Sequence, residues 1–445
     1  MDQVFVAILV LFAALLIGVP VPVSFMASSA WLIFFGGPGG MGYAYSQLLP
    51  HGFHQVASVP LIAIFLFITA GGLMDRGRIG EKIIDFVDVF LGSVKGGLGV
   101  VGVVSNALFG SVTGAASATL SCIGPVMFKR FNKEGYPKGY SAALMANAAL
   151  LGLLFPPNAT LIIFAWISGL SVLACFLSTV SAGFLVMFLL SFVNLWMLRN
   201  EPNLLVAKKR SNAEKWKLFK ERGPSAIPAL LLPFIVLGSI YGGIMTPTEA
   251  AAVAVVYAIP VGMFIYKSLT LRSICECLIE SGITTGVIMA MLFSVSMLSR
   301  LYLLEELPSR MLHIFFALST NRWVIMGMIN VFLLLVGTVM DDISVVVLTT
   351  PILMPIITEL GFNPIHFAAI MGVNTAFGCV VPPAAPVLYL SGRLSGTPID
   401  QMMKSGAWLA LLVWLPALIF VTYFPRFVLF LPHMIMGPTI VPWAW

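Results

Sequence analysis

Four short segments rich in glycine, proline and small polar residues interrupt an otherwise apolar sequence, and they are where chemistry is possible. They span residues 110–117, 152–160, 337–344 and 378–386. Backbone that is not helical is tolerated at membrane depth only where protein covers it or a wet cavity touches it. The segments therefore predict hairpin tips at 110–117 and 337–344, and helix breaks at 152–160 and 378–386.

Each segment offers groups that bind ions. Where two half-helices meet, N-terminal amides hold an anion, whereas freed carbonyl and hydroxyl oxygens hold Na⁺. We predict that the substrate is bound by Thr113, Asn158, Thr160, Thr338 and Asn374. Two or more Na⁺ ions are predicted to use backbone and side-chain oxygens of Gly110, Ser111, Ser117, Pro156, Gly337, Asp341, Asp342, Ser344, Gly378 and Pro382. The alternative is that Gly and Pro only kink packed helices while hydroxyls bond to their own backbone.

Three groups of polar side chains have structural alternatives. Asp341 and Asp342 form an adjacent acidic pair near membrane depth, a candidate for ion coordination, although one of them could simply cap the second arm of the hairpin. Glu249 has the spacing of a capping box and needs no chemical role. His51 and His54 could share a helical face, but without a third ligand they indicate a surface role rather than a metal site.

The composition is that of a membrane protein. Of the 445 residues, 59% are hydrophobic and 9% charged, and the mean hydropathy is +1.01. Apolar stretches long enough to cross a bilayer recur along the whole chain. The five cysteines match neither a disulfide framework nor a zinc site. No His-Glu-x-x-His or Gly-x-Ser-x-Gly motif occurs, so we predict no enzyme and no catalytic residue.

An internal repeat indicates two related halves. Gly18–Ala27 resembles Gly243–Ala252, and later matches keep an offset of 225 to 227 residues. The predicted fold is an all-α polytopic membrane protein with two inverted-topology repeats, as in secondary transporters. The predicted parts are a first repeat at 1–200 (scaffold helices about 1–75, hairpin 96–130, broken helix 139–170), a cytoplasmic basic linker at 201–224, a second repeat at 225–430 (scaffold 225–300, hairpin 322–358, broken helix 364–392) and a tail at 431–445.

The basic residues give the predicted orientation. If both hairpins are re-entrant and the N-terminus lies outside, all but four of the 24 Lys and Arg residues fall on one side, as the positive-inside rule requires. The four on the outer side are Arg300, Arg310, Arg322 and Arg426. Both termini are then predicted to be periplasmic.

Several motifs together resemble a known family. They are Ala70–Met74, Phe155–Asn158, Thr246–Ala252, Gly337–Asp341 and Pro351–Pro355, with the hairpin tips. This combination resembles the large membrane (M) subunit of tripartite ATP-independent periplasmic (TRAP) transporters, over essentially the whole chain. One departure is that Ala115 and Ala116 stand in a first tip that is often rich in serine.

The resemblance implies properties that spacing does not show. It implies an elevator-type, Na⁺-driven importer of small organic anions, carboxylates or sulfonates, in the bacterial inner membrane. It also implies two partners: a small four-helix membrane subunit and a periplasmic substrate-binding protein. Two alternatives remain at this stage: a stand-alone Na⁺/di- or tricarboxylate symporter of related fold, and the permease of an ATP-driven importer. Nucleic acid is not a predicted partner, because basic residues between spans act as topology signals.

Overall fold

The computed structural model describes residues 3–37, 42–43, 45–77, 79–92, 94–202, 204, 211–382, 385–438 and 441. Within these ranges the chain forms helices and no strand. Apolar segments adopt helices at membrane depth because only a helix satisfies its own backbone hydrogen bonds without a partner segment.

The chain before residue 200 contributes the first set of helices. They are α1 (Gln3–Ile17), α2 (Val21–Phe35), α3 (Tyr45–Val56), α4 (Ile62–Arg76), α5 (Ile79–Leu91), α6 (Gly97–Thr113), α7 (Ala116–Lys133), α8 (Lys138–Ala149), α9 (Leu151–Leu154), α10 (Ala159–Ser168) and α11 (Val172–Leu198).

The rest of the chain contributes the second set. They are α12 (Asn212–Tyr241), α13 (Pro247–Pro260), α14 (Leu271–Leu304), α15 (Leu307–Leu318), α16 (Arg322–Gly337), α17 (Asp342–Glu359), α18 (Pro364–Gly378), α19 (Pro386–Ser395), α20 (Ile399–Leu409), α21 (Leu415–Tyr423) and α22 (Pro425–Met436).

Many of these helices can cross a membrane. Among the described residues, seven helical segments are long and apolar enough, and the pair Lys138–Leu154 and Ala159–Ser168, bent by 41°, would make an eighth span. The prediction of an all-helical polytopic membrane protein is confirmed at this level. The inverted relation of the two halves and the elevator movement stay predictions.

The helices pack in two groups. The frame group consists of α1–α4 and α12–α14, and the hairpin group consists of α6–α10 and α16–α19. Helices α11 and α20–α22 pack on the hairpin group. Every residue from Tyr140 to Ala149 in α8 and from Ile365 to Gly378 in α18 is buried. Protein therefore covers the two helices that lead into the predicted breaks, which is the condition for irregular backbone inside a membrane.

Two helices cross boundaries that were predicted from the sequence, and the boundaries themselves stay predictions. Helix α12 runs without interruption across residue 225, where the basic linker was predicted to end, and α22 continues to Met436, past the predicted start of the tail at 431. The basic triplet at 208–210 lies outside the described residues. Helix α12 begins before residue 225 because Ser211 and Glu214 form a capping box, which starts the helix in the polar segment that precedes its apolar part.

The structural interpretation of Glu249 is confirmed. The Thr246 hydroxyl accepts from the Glu249 backbone N–H at 3.4 Å, and the Glu249 carboxylate accepts from the Thr246 N–H at 2.8 Å. Pro247 occupies the first turn of α13, where its missing N–H costs nothing. These contacts account for Glu249 without any role in transport.

Asn194 joins three parts of the first half. It lies on α11, where its Oδ1 accepts from the Tyr140 hydroxyl at 3.2 Å and its Nδ2 donates to the Gly96 carbonyl at 2.9 Å, in buried surroundings. We expect Asn194→Ala to lower the free energy of unfolding by about 2 kcal/mol or more, because it leaves a buried hydroxyl and a buried carbonyl without partners.

The apparent melting temperature in detergent measures this loss. Ser191→Ala is the matched control, because among the described residues the Ser191 hydroxyl bonds only to the Met187 carbonyl of its own helix, at 2.8 Å. Its expected cost is about 0.5 kcal/mol or less. Equal losses in the two variants would show that the Asn194 bridge does not stabilise the fold.

Candidate substrate and ion site

A central cavity of about 420 Å³ lies where the frame group meets the hairpin group. Five of the predicted site residues line it: Thr113, Ser117, Thr160, Asp341 and Asp342. The other lining residues are Phe67, Ile68, Gly114, Ala115, Ala116, Ala118, Leu153, Pro157, Ala159, Thr284, Ile288, Ile343, Cys379, Pro386, Val387 and Leu390. The cavity thus contacts three of the four segments at residues predicted to bind substrate or Na⁺, and the fourth at Cys379 and Pro386.

The first tip packs directly on the first helix break. Gly114, between α6 and α7, has φ +60°, and a Cβ at this position would lie 2.1 Å from the Pro157 carbonyl oxygen. Only glycine combines this left-handed conformation with such a close approach. Across the break, Asn158 caps α10 by accepting from the Leu161 N–H at 2.7 Å and donates its Nδ2 to the Leu153 carbonyl. Asn158 therefore holds the two sides of the break together.

The start of α7 presents free backbone amides to the cavity. Ala115 occupies the N-cap position and makes no side-chain hydrogen bond to the first turn. The next three residues, Ala116, Ser117 and Ala118, all line the cavity. The first N–H groups of a helix have no partner inside the helix, and the helix dipole makes this end positive. An uncapped first turn that faces a cavity is an arrangement that binds anions.

Two threonine hydroxyls, at the end of α6 and in the first turn of α7, stabilise this tip. The Thr113 and Thr119 hydroxyls lie 2.8 Å apart, and Thr119 donates to the Ala115 carbonyl at 2.8 Å. Compared with a serine-rich tip, Ala115 and Ala116 lack two hydroxyls. The Ala115 carbonyl is nevertheless held in place by the Thr119 hydroxyl. This network fixes the position of the amides that follow.

The second tip brings two carboxylates to the same cavity. Asp341 is the N-cap of α17 and accepts from the Ser344 N–H at 3.3 Å and from the Ser344 hydroxyl. The alternative that one aspartate caps the second arm is therefore confirmed, while ion coordination stays a prediction. Asp342 accepts from the Thr160 hydroxyl at 2.6 Å. This bond joins the second hairpin to the broken helix of the first half.

The other predicted residues lie elsewhere. Ser111 and Pro156 line a separate cavity against α12, Pro382 lines another beside α20, and the Ser111 and Thr338 hydroxyls bond to carbonyls one turn back on their own helices. Asn374 on α18 donates to Asn330 Oδ1 on α16 at 2.9 Å, and neither residue lines the central cavity. The structure therefore gathers five of the predicted residues at one cavity, keeps Asn158 and Ser344 in contact with its walls, and places the rest away from it.

The three glycines predicted as Na⁺ ligands, Gly110, Gly337 and Gly378, form two close contacts together with Gly152. A Cβ on Gly110 would lie 2.5 Å from Gly152 Cα, and a Cβ on Gly378 would lie 2.8 Å from Gly337 Cα. In each half, the first arm of the hairpin thus touches the helix that leads into the break. These glycines allow close packing, and Na⁺ binding by the carbonyls of Gly110, Gly337 and Gly378 stays a prediction.

Sequence reasoning missed the frame side of the cavity. Phe67 and Ile68 on α4 and Thr284 and Ile288 on α14 close it, yet these residues sit in regular helices with no break nearby. The one available signal was the pair of adjacent threonines at 284–285 in an apolar helix. Thr284 donates to the Glu280 carbonyl of its own helix at 2.9 Å, so its oxygen can still accept.

The charges around the cavity restrict what it can bind. Among the described lining residues there are two carboxylates and no Lys, Arg or His side chain. The described part of the chain also contains no group of three or more His, Cys, Asp or Glu residues that would hold a transition metal. An anion here would depend on the amides of α7, on neutral hydroxyls and on a cation that offsets the aspartates.

The sequence comparison identifies the family. The family described as "Tripartite ATP-independent periplasmic transporter, DctM component" matches residues 8–427. The chain belongs to this family. It is therefore a TRAP transporter large membrane subunit, and the resemblance of its motifs to that subunit is confirmed. The related proteins are permease subunits of a transport system rather than enzymes.

Three curated relatives illustrate the range of the family. The C4-dicarboxylate TRAP transporter large permease protein DctM of Pseudomonas aeruginosa is 32% identical over 374 residues, 84% of this chain and 86% of that protein. The sialic acid large permease protein SiaM of Vibrio cholerae is 30% identical, over 94% and 96%. The isethionate permease protein DctMQ of Oleidesulfovibrio alaskensis is 30% identical over 94% of this chain, which spans 64% of that protein's length.

Solved structures support the fold. The YdaH transporter of Alcanivorax borkumensis has a TM-score of 0.65 at 15% identity, over 98% of this TRAP subunit and 100% of that chain. MtrF of Neisseria gonorrhoeae has a TM-score of 0.59 at 13% identity, over 94% and 95%. At such low identity the likeness concerns architecture alone. Together with the TRAP relatives and the apolar helices, it supports a multi-pass protein of the inner membrane.

Proposed function

We propose that this TRAP subunit carries a small organic anion, a carboxylate or sulfonate, into the cell by Na⁺ symport. The observation that supports this most is the central cavity, which is lined both by the uncapped first turn of α7 and by Asp341 and Asp342. The amides offer a site for an anionic headgroup, and the aspartates and hydroxyls offer oxygens for Na⁺. Binding of Na⁺ beside the aspartates would remove the repulsion that an anion otherwise meets.

Coupling follows from this arrangement. Without a cation, an anion that enters the cavity faces two carboxylates in a region of low dielectric, where like charges repel strongly. With Na⁺ bound, its positive charge offsets part or all of the charge on the carboxylates, depending on the number of ions, and the repulsion on the anion falls. Each ligand therefore increases the affinity for the other, and the coupling is reciprocal by linkage.

The movement we propose is an elevator-type displacement of the hairpin group against the frame group. The central cavity lies on the boundary between the two groups, with Phe67 and Ile288 on the frame side and both tips on the other. The Gly110–Gly152 and Gly337–Gly378 contacts stand at repeat-related positions, which supports an inverted repeat with two similar hairpin units. Both termini are proposed to be periplasmic.

The proposed partners are the small four-helix membrane subunit and a periplasmic binding protein that delivers the substrate. Family membership supports both. The names of relatives include C4-dicarboxylate, sialic acid and isethionate, so the family accommodates several anions, and the binding protein would make much of the choice.

Uptake by purified components tests this function. The chain and its small subunit are placed in liposomes, and the genetically adjacent binding protein is loaded with the acid that raises its melting temperature. We expect uptake only with an inward Na⁺ gradient and the binding protein present. Uptake that needs no binding protein would indicate a stand-alone symporter, and uptake that needs ATP but no Na⁺ gradient would indicate an ATP-driven permease.

A further inference from the structure

A second cavity, the outer cavity, lies at the end of the molecule predicted to face the periplasm. It has a volume of about 280 Å³. Its lining residues are His51, Gln55, Trp166, Ile167, Val295, Ser296, Ser299, Arg300, Leu303, Val347 and Pro351. Unlike the central cavity, it contains a cationic side chain and, among its described lining residues, no carboxylate.

Arg300 is the one cationic side chain among the described residues that line the outer cavity. The side chain is exposed, and it makes no hydrogen bond or ion pair with another described residue. Neutral groups surround it, including the Gln55 amide and the Ser299 hydroxyl. Burial and the Arg300 guanidinium lower the pKa of His51, so its imidazole is neutral at pH 7. An unpaired guanidinium beside neutral donors is suited to a carboxylate or sulfonate.

The outer cavity shares three walls with the central cavity. On α10, Trp166 follows Thr160 by six residues, about 9 Å at 1.5 Å per residue. On α17, Val347 follows Asp342 by five residues, about 8 Å. On α14, Arg300 follows Ile288 by 12 residues, about 18 Å. All three helices lead from the central cavity to the outer one in the same sense.

The outer cavity lies between the frame group and the hairpin group. His51 on α3 and Arg300 on α14 belong to the frame group, whereas Trp166 on α10 and Val347 on α17 belong to the hairpin group. The outer cavity is therefore on the same boundary as the central cavity, nearer the predicted periplasm. An anion that approaches along this boundary meets Arg300 before it meets the aspartates.

We propose that the outer cavity is an anion-binding subsite on the entry path, where Arg300 holds the carboxylate or sulfonate before it enters the central cavity. The proposal rests on the proposed function, since it assumes that the chain transports an organic anion. In this proposal the two cavities have different roles in anion transport. The outer cavity attracts the anion with a fixed charge, and the central cavity binds it only together with a cation.

Cysteine labelling tests the subsite without any partner protein. Gln55→Cys is introduced after Cys122 and Cys275, the described cysteines that are not buried, are replaced by Ala. The measured quantity is the rate of a sulfonate-bearing methanethiosulfonate divided by the rate of a trimethylammonium-bearing one. We expect this reagent ratio to be at least about threefold higher with Arg300 than after Arg300→Gln. Excess isethionate should slow the reaction. An equal reagent ratio in the two backgrounds, or a cysteine that does not react, would overturn the proposal.

Lipid headgroups are the other source of an anionic group. The labelling is therefore repeated in phosphatidylcholine with and without phosphatidylglycerol. Protection by isethionate in both membranes is the expected result. Protection by phosphatidylglycerol alone, with none by isethionate, would show a lipid site and overturn the proposal.

Uptake separates the subsite from a docking contact. We expect Arg300→Gln to lower the rate at a saturating concentration of binding protein about fivefold and Arg300→Lys to recover most of it, since the lysine keeps the charge. Arg426→Gln, which removes another exposed arginine on the predicted outer side, should change little. An Arg300→Gln defect that disappears when the binding protein saturates would indicate docking, and the proposal would fail. Selective labelling without any Na⁺-driven uptake would contradict the proposed function and leave the anion site supported.

Discussion

Asp341→Asn is expected to raise the Na⁺ concentration needed for half-maximal uptake by about tenfold or more while the protein remains folded. Asparagine caps helices about as well as aspartate, so the contact with Ser344 at the start of α17 can be kept. The charge is removed, and the Ser344 hydroxyl, which donates to Asp341, would instead accept from the asparagine Nδ2. A hydrogen bond to a charged group contributes about 1.5–3 kcal/mol, we expect a direct Na⁺–carboxylate contact to contribute at least as much, and 1.4 kcal/mol corresponds to tenfold in affinity.

The cap and the charge of Asp341 are separated by a second variant. Asp341→Ala removes both, so it should show the same loss of Na⁺ affinity and, in addition, a lower melting temperature, from a lost cap of about 1 kcal/mol. Uptake is measured in liposomes over a series of Na⁺ concentrations, with membrane insertion checked by chromatography. If Asp341→Asn keeps the Na⁺ dependence of the unmodified chain, Asp341 is a cap and nothing more.

Gly114→Ala is expected to reduce uptake to near background. Alanine at φ +60° costs about 1–2 kcal/mol. The larger effect comes from its Cβ, which would lie 2.1 Å from the Pro157 carbonyl, so the first tip must move away from the helix break. Overpacking of this kind costs about 1–3 kcal/mol, and here it displaces the amides proposed to hold the anion.

Gly169→Ala is the matched control for this variant. Gly169 also has a left-handed backbone, with φ +68°, but a Cβ there would meet no atom within 4 Å. Both substitutions carry the conformational cost, and only Gly114→Ala carries the collision. Uptake and melting temperature are compared in the two variants. Similar activities in the two would mean that the contact between the tip and the break is not needed for transport.

The sequence predicted the parts of the site that depend on broken helices. Gly114 and Pro157 stand in clusters of glycine, proline and small polar residues, which favour a tip or a break inside an apolar sequence, whereas isolated prolines such as Pro228 lie within a helix. Asp341 could be placed at the start of a helical arm because side-chain capping is local. For such residues, the local sequence contains the physical cause.

The frame side of the cavity could not be predicted in this way. Phe67 and Ile288 have no local signal that separates them from other apolar residues of long helices, and they reach the cavity only because α4 and α14 pack against the tips. The Thr160–Asp342 hydrogen bond joins residues 182 positions apart. Contacts of this kind depend on how the two groups of helices assemble. A single sequence has no local motif that predicts them.

A cryo-EM map of the chain with its small subunit, in Na⁺ and the identified substrate, tests the central claim most directly. We predict density for the anion in the central cavity, against the backbone amides of Ala116–Ala118, with an ion density beside Asp341. Replacement of Na⁺ by K⁺ should remove both. An anion that remains in the central cavity in K⁺, or that occupies a different cavity in Na⁺, would contradict the proposed coupling of anion and cation at this site.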